Sequence, residues 1–166
     1  IWRLDFLMIL ITLGTQDKQF KRLLDVVQKE IDKGNIKDKV VVQAGHTKYE
    51  SKDMEIFDLI DREKFSSLIS ECDLLITHGG VGSIITGLQN NKKVIVAPRL
   101  AKYDEHLNDH QVQITNNFAN AGYILPLYEE DDLSEVLEKV KTFKPKKFRS
   151  NTSKMVKIID EFINGN

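Results

Sequence analysis

Cysteine, proline and tryptophan are scarce in this 166-residue chain, which has one Cys, three Pro and one Trp. A single cysteine excludes an internal disulfide framework and a cysteine-based zinc knuckle, and makes a reducing compartment the simpler reading. Neither sign of charge dominates. The 24 basic and 25 acidic residues leave a formal charge of −1, which argues against a dedicated nucleic-acid binder. No repeat or low-complexity stretch is present, and no long hydrophobic run. The most apolar segment, Phe6 to Leu13, has about half of the ~18 residues a membrane span needs. With Arg3 upstream it resembles the start of a signal peptide. Gly14-Thr15-Gln16-Asp17 follows without a small-x-small cleavage site, so the run reads as part of the fold. Residues 1–7 precede the first methionine, Met8, and read as an upstream extension or a cloning remnant. Residues 8–166 fit one domain of ordinary size.

What is present is an alternation of short apolar runs with helical patterns. Phe6–Leu13 is a strand ended by Gly14. Over Asp17–Lys33, Phe20, Leu23, Leu24, Val27 and Ile31 recur at helical spacing, and Gly34-Asn35 stops the helix. Lys39–Gln43 is the second strand, residues 44–53 a polar loop and Met54–Leu59 a weaker strand. A helix at Arg62–Glu71 leads to a strand at Asp73–Thr77, a helix at Val81–Asn90 and a strand at Lys93–Ala97. The spacing then predicts a helix over His106–Ala121, a short strand at Tyr123–Leu127, and closing helices at Leu133–Val140 and Ser153–Ile163. Continuously apolar strands are buried on both faces. Their alternation with helices predicts an α/β, doubly wound, mostly parallel sheet of Rossmann-like type. Ligands in such folds bind at the carboxyl ends of the strands, which directs attention to residues 14–16, 44–53, 78–83 and 98–110.

The clearest chemical signal is Thr77-His78-Gly79-Gly80-Val81-Gly82-Ser83, between a strand and a helix. Glycines permit a tight turn and close approach of a ligand. The free N–H groups and positive end of the next helix favour an anion such as a diphosphate, with Ser83 as a further donor. The plain alternative is a tight turn after a strand. No Gly-Lys-Ser/Thr follows, so the loop is not a Walker A sequence. Ile85 stands where the dinucleotide fingerprint needs glycine, and the loop comes late in the chain. Gly14-Thr15 offers a second close approach and a hydroxyl at the same sheet edge. The polar stretch from Pro98 and Arg99 to Gln111 reads either as a sugar-binding segment, with Asn108, Asp109 and Gln111 as paired donors and acceptors, or as a solvated helix start. His106 and His110 stand four apart, as zinc ligands on one helix face do. The Glu of His-Glu-x-x-His and a third ligand are missing, and no Asp-x-Asp ends a strand to hold magnesium. Cys72 reads as inert core. The acidic run Glu129–Asp132 suits the start of a helix. The basic stretch from Lys141 to Arg149 reads as a solvated linker in preference to an anionic-lipid contact.

Four segments together resemble the carboxy-terminal domain of family 28 glycosyltransferases: Ile11-Thr12-Leu13-Gly14-Thr15, His78-Gly79-Gly80-Val81-Gly82-Ser83, Lys93-Val94-Ile95-Val96-Ala97-Pro98-Arg99, and Glu105-His106-Leu107-Asn108-Asp109-His110-Gln111. The resemblance runs from about Met8 to the end. It extends to stand-alone versions of this half: the catalytic subunit of the eukaryotic two-part transferase acting on dolichol-diphosphate, and the PssE-like exopolysaccharide or capsule subunits. The resemblance implies a GT-B donor half that binds a UDP-sugar, with no cofactor or metal. Gly14 and Thr15 would face the diphosphate and sugar. Gly79, Gly80, Gly82 and Ser83 would cradle the diphosphate, Asp109 and Gln111 would hold sugar hydroxyls, and Asn108 and Arg99 would join the substrate site. Many relatives carry a ribose-binding glutamate on the helix after the glycine loop, where this sequence has Thr86. His78 reads either as the internal candidate for a general base, which the family logic otherwise leaves to a partner, or as a structural residue under the nucleotide.

The resemblance further implies an inverting transfer of a hexose or N-acetylhexosamine to a polyprenyl-diphosphate-linked saccharide, in exopolysaccharide or capsule synthesis. It would require a separate, membrane-associated, acceptor-binding subunit, because 166 residues leave no room for an acceptor domain. Such a chain would be cytoplasmic, recruited to the inner face of the membrane by its partner. Isolated, it would expose one wall of its cleft and self-associate. The alternative is a non-catalytic accessory subunit that stabilises or activates a partner glycosyltransferase. A nucleotide-sugar epimerase would need two fused domains and cleft carboxylates, neither of which is evident.

Overall fold

A computed structural model describes residues 8–149 and Lys157. Six strands form one sheet, all parallel: β1 (Met8–Thr12), β2 (Lys39–Gln43), β3 (Glu55–Phe57), β4 (Leu74–His78), β5 (Lys93–Ala97) and β6 (Leu125–Pro126), in the order β3-β2-β1-β4-β5-β6. Five helices connect and follow them: α1 (Lys21–Asp32), α2 (Arg62–Glu71), α3 (Val81–Gln89), α4 (His110–Asn120) and α5 (Leu133–Thr142). This is the doubly wound arrangement that the strand patterns predict. The closing helix expected at Ser153–Ile163 lies outside the described residues.

Alternation along the strands divides the core. Ile9, Ile11, Val40, Val42, Leu74, Ile76 and Ile95 pack on one face against Leu24 and Val27 of α1 and Val136 and Val140 of α5. Leu10, Val41, Leu75, Val94 and Val96 pack on the other against Ile69 of α2, Ile84 and Leu88 of α3, and Ile114 and Phe118 of α4. Both faces of the central strands are therefore dry, which is why their sequences read as unbroken apolar runs.

Two helices begin later than helical spacing suggests. α1 starts at Lys21, not Asp17. The Phe20 N–H donates to Thr47 Oγ1 at 3.0 Å, and the Gln19 side chain exchanges bonds with His46 O and Lys48 N, so residues just before the helix are held by the β2–β3 loop. α4 starts at His110, not His106, because residues 98–109 form a loop with one 3-10 turn at Ala101–Tyr103. His106 and His110 therefore do not share a helix face as the zinc alternative supposed. Among the described residues no three His, Cys, Asp or Glu side chains gather to hold a metal ion.

Candidate functional site at the sheet switch point

The strand order reverses between β1 and its neighbour β4, because the connection from β1 leads to β2 on one side and that from β4 leads to β5 on the other. The loops leaving these adjacent strands part there, at the carboxyl edge, the place where doubly wound sheets form a crevice and receive ligands. Its lips are the β1–α1 loop, with Gly14 and Thr15, and the β4–α3 loop, running from Gly79 to Ser83.

His78, 6 % exposed, ends β4 and lies under both lips. A Cβ on Gly14 would stand 2.5 Å from His78 Nε2, and one on Gly80 would stand 2.4 Å from Cε1. Only glycine lets the two loops close over the ring. Gly14 in addition adopts φ +81°, in the left-handed region. Gln111 fixes the ring from the other side. Its Oε1 accepts from Gly79 N (3.0 Å) and Arg99 N (3.1 Å), so its Nε2 is the atom 3.1 Å from His78 Nδ1. An amide nitrogen can only donate there, so Nδ1 is the acceptor and the neutral ring carries its proton on Nε2. Burial pushes the imidazole pKa down to about 3, and the Arg99 charge acts the same way. A ring so weakly basic, with Nδ1 already engaged, is poorly suited to the general-base role considered for it.

α3 opens with Gly80 as N-cap, no side-chain cap and no acidic residue in its first turn. Its first main-chain bond runs from Ile84 N to Gly80 O at 3.2 Å. The N–H groups of Val81, Gly82 and Ser83 thus lie at the helix end, where such groups lack intrahelical acceptors and the dipole is positive. Gly82 is exposed, and a Cβ there would meet nothing within 4 Å. α2 and α5 carry Asp61 and Asp132 as side-chain caps, bonded to Lys64 N and Ser134 N, whereas α1 and α4 lack a side-chain cap bond as α3 does; of these three uncapped starts, that of α3 directly follows the glycine loop.

The remaining candidates divide. Thr15 is exposed on the β1–α1 lip and Ser83 is half-buried at the α3 start. Thr86 Oγ1 donates to Gly82 O at 2.8 Å, one turn back in its own helix. Gln111 is buried, with its amide committed to main chain and His78. Asn108 is exposed and its Oδ1 accepts from His110 N, while Asp109 Oδ1 accepts from Ala101 N. Asp109 also lines an open cleft of about 450 Å³ with Leu100, Lys102, Val112, Gln113 and Asn116, away from the glycine loop. Arg99, which the resemblance places in the substrate site, turns inward. It is 1 % exposed and its guanidinium donates to main-chain carbonyls, with burial pushing its pKa down to about 10 against the pull of Glu105.

Two supports escaped the sequence reading. Gln43 Nε2 donates to Gly14 O at 3.1 Å, so the end of β2 braces the first lip. Glu105, 3 % exposed, pairs with Arg22 at 2.9 Å and accepts from Leu100 N. A polar residue ending the apolar run Val40-Val41-Val42 was the available signal for Gln43. Nothing local marks Glu105, whose partner Arg22 lies 83 positions away.

A profile of the glycosyltransferase family 28 C-terminal domain matches residues 8–162. The chain is 32% identical over 123 residues to UDP-N-acetylglucosamine transferase subunit ALG13 of Debaryomyces hansenii, covering 74% of this chain and 54% of that protein. It spans about half or less of the length of the curated relatives it matches. An NMR solution structure of ALG13 superposes with a TM-score of 0.57 at 22% identity, covering 94% of each chain. The crystal structure of Acinetobacter baumannii MurG gives 0.55 at 19% identity, covering 82% of this chain and 40% of that one. These structures share the fold, a Rossmann-like GT-B half. With the family profile spanning nearly every described residue and the glycine loop at the switch point, the chain belongs to the glycosyltransferase family 28 C-terminal domain.

Proposed function

We propose that this chain is the donor-binding part of a UDP-sugar-dependent glycosyltransferase, with UDP-N-acetylglucosamine as donor. The observation that carries the reading is the bare amino terminus of α3 at the switch-point crevice, with no cap and no acid of its own. Such an end suits a diphosphate, and in a transfer reaction it stabilises the charge that develops as UDP departs. The name of the curated relatives supports N-acetylglucosamine among UDP-sugars. An exopolysaccharide or capsule setting rests on the Arg99–Gln111 resemblance alone.

In this reading Gly14, Thr15 and the Gly79–Ser83 loop hold the diphosphate and sugar. An acceptor hydroxyl attacks the anomeric carbon as its bond to UDP breaks, with inversion, and UDP leaves with the electron pair. The hydroxyl proton passes to a base on an acceptor-binding partner, since His78 is a weak base. The acceptor is a polyprenyl-diphosphate-linked saccharide. Among the described residues no helix is long and apolar enough to cross a membrane. Recruitment to the cytoplasmic face of a membrane is assigned to the partner in this proposal.

Titration calorimetry tests the donor site. The isolated, folded chain is expected to bind UDP and UDP-N-acetylglucosamine, and to transfer sugar only when an acceptor-binding subunit is supplied. Absence of heat with UDP, on protein shown to be folded, overturns the reading.

A further inference from the structure

We propose that Arg99 is a positioning residue that sets the Gly14–Thr15 lip of the crevice through main-chain carbonyls, without touching the ligand. Its ligand arm rests on the donor-binding reading above; its structural arm does not.

Arg99 is the bulkiest of the fully buried side chains. Its Nη2 donates to Leu13 O at 2.5 Å, and its Nη1 donates to Lys18 O and Glu105 O, both at 2.9 Å. Its Nε has no partner among the described residues. The Glu105 carboxylate, the buried acid closest in sequence, is committed elsewhere: Oε2 to Arg22 Nε at 3.0 Å, and Oε1 to Arg22 Nη2 and to Leu100 N at 2.9 Å. Arg99 thus keeps its charge in the interior and uses it on neutral carbonyls. An apolar side chain would fill the same volume without desolvating a cation. What an apolar side chain lacks is a planar fork that fixes several carbonyls at once.

Two of those carbonyls belong to the β1–α1 loop, 86 and 81 positions away in sequence. Leu13 O comes from the peptide that joins Leu13 to Gly14. A trans peptide is planar, so holding this carbonyl toward Arg99 turns the Gly14 N–H to the opposite side. The proposal gives that N–H to the diphosphate. Arg22 ties the same segments from α1, through Glu105 and through Pro98 O at 3.2 Å. The Arg99 N–H shares Gln111 Oε1 with Gly79 N, which links the α3 lip to the same residue. The loops after β1, β4 and β5 therefore meet at Arg99.

Hydrogen exchange and ligand titration on Arg99→Lys test this, since lysine keeps the charge and loses the fork. Exchange in residues 13–20 and 98–106 is expected to quicken about tenfold, while residues 9–12, 74–76 and 94–96 keep their wild-type rates. UDP affinity is expected to fall about tenfold, and the affinity for uridine, which lacks the diphosphate, to stay unchanged. A generally weakened fold would lose both ligands and quicken exchange everywhere, which overturns the proposal; so does wild-type exchange in the two loops. If the lysine variant does not fold, Arg99→Gln, which can still donate to one carbonyl, is measured with the same expectations. Failure of both variants to fold also overturns it, because a loop strap is dispensable to the core. Wild-type protein that fails to bind UDP defeats the donor reading, while exchange in the loops still decides the strap.

Discussion

At the scale of single residues, the glycines of the two lips are distinguishable by what a methyl group would meet. Gly14→Ala and Gly80→Ala each drive a Cβ into the His78 ring, at 2.5 and 2.4 Å. Each is expected to cost about 1–3 kcal/mol in urea unfolding and to abolish UDP binding. Gly82→Ala meets nothing within 4 Å, so stability should hold or rise slightly while UDP affinity falls in calorimetry. His78 adds a pH prediction. Above its ordinary value of 6.5 the ring is neutral folded or unfolded; between 6.5 and about 3 only the unfolded chain takes the proton. Stability therefore falls as pH falls through this window, by roughly 2–3 kcal/mol at pH 4.5 from this group alone. Urea melts at pH 7 and 4.5 should show that portion of the loss in wild type and not in His78→Asn. The sequence announces His78 and the glycines by their adjacency. It does not announce that Arg99 and Gln111 turn inward, because that depends on partners distant in sequence, such as Leu13 O, 86 positions from Arg99, and Gly79 N, 32 from Gln111.

At the scale of elements, α3 starts without a side-chain cap or an acid in its first turn, and the proposed function gives that start to a diphosphate. Ser83→Asp places a carboxylate in its first turn. Thermal unfolding should show stabilisation of about 0.3–1 kcal/mol, while calorimetry shows UDP binding weakened about tenfold or more, because one charge favours the dipole and repels the diphosphate. Opposite signs from one substitution separate a ligand site from a merely uncapped helix. Periodicity located α2 and the strands β2 and β5 to the residue. It placed the starts of α1 and α4 too early. Phe20 is buried at helical spacing but gives its N–H to Thr47, and Glu105 is buried within a loop. Burial and helicity coincide often, and these loops are where they separate.

At the scale of the whole molecule, one sheet divides the core into two layers that touch helices on opposite sides. Leu24→Ala in α1 is expected to cost about 2–5 kcal/mol and Ile114→Val in α4 about 0.5–1.5 kcal/mol. Measured by denaturant unfolding, the double variant should equal the sum within about 0.5 kcal/mol, because the sheet stands between the two sites. The sequence by itself determined the class of fold and the place of the glycine loop. Continuous apolar strands need helices on both faces, and a glycine-rich turn between a strand and a helix leads into first-turn N–H groups that have no intrahelical acceptor. The tertiary structure decided the crevice. That β1 lies beside β4, that His78 sits under both lips, and that Arg99 and Gln111 brace them are consequences of pairing between distant segments. Local propensity carries no information about such pairing, and only the packed sheet enforces it.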